Sequence, residues 1–112
     1  MTTKEVSKMI ADIGIPCAYY QFSKATAKPP PFICFYYPAS ADFMADNVNY
    51  AKINALTIEL YTDNKNFDLE QQVEAALIAH ELPFSRDETY IGSERMYMVI
   101  FNTEVLINAD ES

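Results

Sequence analysis

The 112-residue chain carries 16 acidic against 8 basic residues, a net charge of −8, and is 50% hydrophobic. The length fits one domain, 1–112, with residues 109–112 read as a frayed end. The apolar content excludes a disordered chain, the apolar runs are too short for a membrane helix, and eight cations are too few to hold nucleic acid by neutralising phosphates. An acidic surface repels a passing nucleic acid instead.

The opening MTTKEVSKMIADIG is charged throughout and lacks the apolar stretch of a signal peptide, so a protein made and used inside a cell is expected. The same segment predicts a helix over Lys4–Ile13, with Thr3 as N-cap and Val6, Met9, Ile10 and Ile13 at helical spacing. Gly14 suits the helix end and Pro16 prevents continuation. Cys17–Phe22 reads as a strand, the polar SKATAKPPP as a loop, and Phe32–Tyr37 as a second strand paired with the first in a hairpin. The three prolines block helix and hold the backbone extended just before the strand, where a missing N–H is tolerated. Pro38 ends the strand.

Ala39–Asn47 reads as a loop. Val48–Thr62 reads as a long strand whose second half alternates cleanly, Leu56, Ile58 and Leu60 on one face and Thr57, Glu59 and Tyr61 on the other. A turn over Asp63–Phe67 leads to a second helix with Asp68 as N-cap, Gln71 completing a capping box, and Leu69, Val73, Ala76, Leu77 and His80 on one stripe. Strands over Pro83–Ile91 and Met96–Asn108 follow, separated by a turn at Gly92 and Ser93. The expected fold is α+β, a small, mostly antiparallel sheet of about five strands with two flanking helices, in the order α-β-β-β-α-β-β.

Little in the chain points to chemistry. His80 sits near a helix end, where packing or capping is the simpler role. Cys17 and Cys34 lie in apolar strands and read as reduced, buried small hydrophobes. With one histidine they do not make a zinc site, the acidic run near Asp63 lacks the central glycine of a calcium loop, and no glycine cluster cradles a phosphate. No catalytic residue, metal or cofactor is expected, and the chain is read as a non-enzyme.

The apolar pattern is more informative. FICFYY and MYMVIF are apolar on both faces, and such strands need cover on both sides. Two short helices cover one face. The other is covered by the chain folding over itself or by another subunit, and Tyr, Phe and Met are typical of interface cores.

PPPFICFYYPASADFMADNVNY, INALTIELYTDNKNFDLEQQVEAAL and SERMYMVIFNTEVLI, in that order across Gly14–Ile107, resemble the tail-terminator and head–tail joining proteins of siphophages and prophages of Gram-positive bacteria. The resemblance implies a ring, usually a hexamer, that assembles in the bacterial host cytoplasm and resides in the virion tail. The ring would cap the tube of major tail tube protein and meet the head–tail connector protein. DNA would pass through the lumen without being held, and no membrane would be involved. The segments expected to contact neighbours are the loop holding Phe43, Met44 and Asp46, the turn holding Asn66 and Phe67, and the face of Thr57, Glu59 and Tyr61. A head-closure or adaptor protein of the same assembly, and a small acidic cellular protein-binding module, are the alternative readings.

Overall fold

The computed structural model describes residues 1–22, 28–45 and 48–108, and for 40–52 and 108 the backbone alone. Its elements are α1 (Thr3–Ala11), β1 (Cys17–Tyr19), β2 (Phe32–Tyr36), β3 (Ser40–Ala45), β4 (Val48–Thr62), α2 (Phe67–Ala79), β5 (Phe84–Ile91) and β6 (Met96–Asn108). The fold is α+β, with two helices against a mostly antiparallel sheet.

The spine of the sheet is β4. It pairs with β6 from Ala51↔Asn108 to Thr62↔Tyr97, and β5 pairs with β6 as a hairpin from Phe84↔Thr103 to Ile91↔Met96. On its other side β4 holds β2 against Thr57–Tyr61 and β3 against Val48–Asn54, so β2 and β3 lie end to end. The molecule's longest extent is 51 Å, about what fifteen extended residues span.

The strand over Ser40–Ala45 replaces the loop expected at Ala39–Asn47. Its small and acidic residues carry little strand propensity, but the first half of β4 offers an unpaired edge, and pairing overrides propensity. Pro38 marks the break. Between Tyr36↔Thr57 and Ser40↔Asn54, residues 37–39 stand opposite only Ala55 and Leu56. Such a bulge accommodates a residue that cannot donate to a ladder.

The hairpin expected between the first two strands is also corrected: β1 and β2 are parallel, with Cys17 opposite Ile33. The cause lies at Tyr20, which has φ +69°. Its N–H bonds the Phe35 carbonyl at 2.8 Å, and the Gln21 N–H turns back to the Tyr19 carbonyl at 2.8 Å. This tight left-handed turn throws the chain across the sheet instead of back alongside β1. β2 therefore begins beside Cys17, with the Ile33 N–H on the Pro16 carbonyl at 2.9 Å. The Pro30–Pro31 peptide is cis.

Both helices start one or two residues earlier than expected, because the caps are Thr2 and Asn66, not Thr3 and Asp68. The Thr2 hydroxyl accepts from the Glu5 N–H at 3.1 Å while the Glu5 carboxylate accepts from the Thr2 N–H at 2.8 Å, a full capping box. Asn66 accepts from the Leu69 N–H at 3.1 Å, which puts Asp68 inside the first turn, where the helix dipole favours it. His80 caps the other end of α2, its Nδ1 2.9 Å from the Ala76 carbonyl. Glu81, at φ +58°, closes that end with N–H bonds from Glu81 to the Ile78 carbonyl and from Leu82 to the Leu77 carbonyl, each 2.9 Å.

Val6, Met9 and Ile10 of α1 and Val73 and Leu77 of α2 share one core with Ile33, Phe35, Leu56, Ile58, Leu60, Val99 and Phe101 of the sheet. Both helices thus lie on one face. A second feature ties α2 to β5: the Glu70 carboxylate, 1% exposed, bridges Lys65 at 2.6 Å and also pairs with Arg86. Arg86 reaches Glu74 at 3.3 Å and Glu88 at 3.5 Å, and Lys65 also meets Glu88. Burial of a carboxylate is tolerated only when its charge is met in this way. Burial would lower the Lys65 ammonium, but hydrogen bonds and charges from Glu70 and Glu88 outweigh it and hold Lys65 above its ordinary value. The hydrogen bond from Lys65 holds Glu88 below its own.

Candidate interaction surface

Strand alternation sends the neighbours of the core residues to the opposite face of the sheet. Three rows cross that face in register: Phe32, Tyr61, Met98 and Thr89; then Cys34, Glu59, Ile100 and Asp87; then Tyr36, Thr57, Asn102 and Ser85. No helix covers them. Among the described residues, the segment thrown over by the Tyr20 turn lies on them, with Tyr20 against Tyr36 at 5.1 Å between ring centroids and Phe22 edge-on to Phe32 at 5.4 Å. Phe32 in turn stacks on Tyr61 at 4.8 Å. The result is a shallow groove of about 440 Å³ lined by Phe22, Phe32, Tyr61 and Met96, with Lys28 and Glu94 among its polar groups.

The polar groups of β2, β4 and β6 on this face pair with one another, while Asp87 of β5 stands at its edge without an ion-pair partner among the described residues. One Glu59 carboxylate oxygen accepts the Tyr61 hydroxyl at 2.9 Å and the other accepts the Tyr36 hydroxyl at 3.2 Å. The Thr57 hydroxyl donates to the Asn102 side-chain oxygen at 2.9 Å. Burial first, then the Glu59 hydrogen bond and charge, push the Tyr61 phenol well above its ordinary range. Burial first and then Glu59 raise Tyr36 in the same way. The Cys34 thiol is pushed up to about 11 by burial, with the Glu59 charge and Cys17 adding to it. Burial also raises Cys17. The two cysteines sit on adjacent strands but on opposite faces, since Cys17 is registered with Ile33 and Cys34 with Ala18. Both are free thiols.

Thr57, Glu59 and Tyr61 are therefore brought together as one surface. The alternation of β4 located them. Tyr36, Phe32 and Cys34 belong to the same surface, and the two-sided apolar character of FICFYY was their signal; Phe22, from the segment after the first strand, joins it without such a signal. Asn66 and Phe67 lie elsewhere, at the start of α2. There Asn66 is a cap, and Phe67, 63% exposed, has the Lys65 ammonium 4.8 Å from its ring centre. Phe43 and Met44 lie in β3, whose side chains fall outside the described residues, as does Asp46 altogether. Among the described residues no three His, Cys, Asp or Glu side chains gather as a metal site, and no helix is long and apolar enough to cross a membrane.

A surface of this kind suits contact with another macromolecule better than reaction chemistry. It is broad and shallow, its apolar groups are largely aromatic and thioether side chains, and Glu59 at its centre is already engaged by two hydroxyls. No protein-family model matches this chain, and no curated protein matches it.

Proposed function

We propose that this chain is a structural, non-enzymatic component of a siphophage or prophage tail: a tail terminator that forms a ring, of six copies in the form the resemblance implies. The ring caps the tube of major tail tube protein and presents a surface to the head–tail connector. It assembles in the bacterial cytoplasm and resides in the virion tail, and DNA passes its lumen without being held. The observation that carries the reading is the helix-free sheet face. Its aromatic groove and self-matched Glu59, Tyr36 and Tyr61 support a role in which that face is covered by a protein neighbour. The order of the PPPFICFYYP, IELYTDN and MYMVIF segments supports the tail assignment, and the net charge of −8 suits a lumen that repels DNA.

The test is to add the purified chain to polymerising tail tube protein and view the tubes by electron microscopy. Tubes that stop growing and carry a ring at one end are the expected result. Tubes that elongate unimpeded with bare ends contradict it, and binding to the connector alone moves the chain to the head-closure or adaptor role.

A further inference from the structure

Cys34 stands on the sheet face that carries no helix, yet it is only 5% exposed. Glu59 is its register neighbour across that face, with Ile100 beyond, and Phe32 and Tyr36 flank it along β2. Such neighbours hem in a small side chain without roofing it. The roof is the start of the connection between β1 and β2. The Tyr20 ring lies 5.1 Å from that of Tyr36, and the Phe22 ring lies 5.4 Å from that of Phe32. Phe32 and Tyr36 stand two residues to either side of Cys34, so residues 20–22 straddle the thiol with Gln21 between the two ring contacts. Tyr20, Gln21, Phe22 and Cys34 all border the same groove.

The parallel pairing of β1 and β2 dictates this crossing. A chain that leaves one strand must travel back along the sheet to begin a parallel neighbour. Residues 20–31 make that return. Tyr19 is registered with Phe35, which puts the end of β1 roughly 11 Å from Phe32 at the usual strand rise and spacing. Extended, residues 20–31 reach about 40 Å. The connection therefore has slack, and its first residues can lift without pulling either strand out of the sheet.

Their attachment is light. The Tyr20 N–H is fixed to the Phe35 carbonyl and the Gln21 N–H turns back to the Tyr19 carbonyl. Among the described residues, Gln21 and Phe22 make no hydrogen bond to the neighbouring strands. Tyr20 is 64% exposed, and its φ of +69° is one that a residue with a Cβ adopts at a cost. Ring contacts thus hold the segment down against local backbone strain. Segments with few buried contacts and few backbone hydrogen bonds open while the rest of the fold stays closed.

We propose that residues 20–22 form a strap, hinged at Tyr20, that opens and closes over the helix-free face and controls access to Cys34. Closed, the strap seals the thiol and occupies the middle of β2. Open, it bares Phe32, Cys34 and Tyr36 together. The candidate interaction surface therefore has two forms, and a partner that touches the β2 side chains directly meets the open one. The strap depends on neither ring formation nor the tail assignment, so either can fail without it.

The test follows alkylation of Cys34 by iodoacetamide in the full chain at pH 8, with peptide mass mapping to keep Cys34 apart from Cys17. In the wild type the Cys34 rate is expected to change little with urea below the unfolding transition, because a local opening exposes little surface. Phe22→Ala removes the ring that rests on Phe32 and is expected to raise the Cys34 rate about tenfold, with Cys17 on the opposite face unchanged. Tyr20→Ala, which removes the ring contact with Tyr36, takes its place if Phe22→Ala is not folded by circular dichroism. A wild-type rate that climbs with urea along the slope of global unfolding overturns the proposal, since only unfolding would then uncover the thiol. A folded strap variant whose Cys34 rate matches the wild type overturns it too. So does one in which both cysteines speed up equally, which would make the ring a support of the whole fold.

Discussion

The two faces of one sheet, built from the same strands, obey different rules. Toward the helices, Ile33, Leu60 and Phe101 are each fully buried, and nearly every contact is aliphatic or aromatic. One residue along each strand, on the other face, stand Cys34, Tyr61 and Ile100, with polar groups held in pairs among them. The first face is filled by its own chain. On the second, Glu59 is matched by two phenols while, among the described residues, Asp87 stands unpaired at the edge and a short crossing segment lies on it.

Substitutions sharpen that contrast. Phe101→Ala on the covered face is expected to lower stability by about 3–5 kcal/mol, because it leaves a cavity in a filled core. Its neighbour Ile100→Ala, on the open face, should lose under about 1 kcal/mol in the isolated chain, since less apolar area leaves water there. Chemical denaturation of both variants measures the difference, and equal losses would show that the open face is packed as tightly as the covered one.

The ion-pair cluster between α2 and β5 gives the next effect. Glu70→Ala strands Lys65 and Arg86 beside a buried site and should cost about 2–3 kcal/mol, less than a wholly buried pair because both cations retain partial contact with water. The pH dependence follows from Glu88, whose folded carboxyl is held below its ordinary value near 4.5. Its contribution is complete above that value and fades as the pH falls through the lowered one. Lys65, held above its ordinary 10.5, contributes fully below that value and loses its contribution as the pH rises past the raised one. Denaturation midpoints measured against pH should show both declines; in Glu70→Ala the alkaline one should shrink, because Glu70 helps to hold Lys65 up, while the acid one should persist, because Lys65 and Arg86 still meet Glu88.

Smaller effects belong to the open face. With its thiol near 11 against an ordinary 9.0, Cys34 should react with a thiol reagent at pH 8 about a hundredfold more slowly than a free cysteine. Glu59→Gln removes the charge beside both phenols, so an ultraviolet titration should show Tyr36 and Tyr61 ionising earlier, though still late because burial is the larger cause. Glu81→Gly, at the left-handed end of α2, should raise stability by about 0.5–1 kcal/mol, since glycine adopts that conformation without a Cβ clash.

Much of the covered face was legible in the sequence. The alternation of Leu56, Ile58 and Leu60 against Thr57, Glu59 and Tyr61 located the second half of β4, and β4 and β6 were both expected over the ranges they occupy. The helical spacing of Val6, Met9 and Ile10 located α1. What escaped was set by distant pairing. Ser40–Ala45 becomes a strand only because β4 has an open edge beside it, and the parallel pairing of β1 follows from a left-handed turn at a tyrosine, a residue that gives no local signal for one. The caps shifted because Thr2 and Asn66 have the side-chain reach that Thr3 and Asp68 were expected to use. At the candidate surface, β4 supplied three residues through its alternation. The contribution of Tyr36 and Phe32 needed the register between β2 and β4, and no pattern within either strand contains that.

In the proposed ring, another copy covers the helix-free face. The most direct test measures absolute mass in solution across a concentration range, together with oxidative labelling of Met96, Met98 and Tyr61. The expected result is a mass rising from the 12.7 kDa chain toward a closed multiple of it, six copies in the proposed ring, with those three side chains losing reactivity in step. A chain that stays at 12.7 kDa, with labelling unchanged at every concentration, would contradict it.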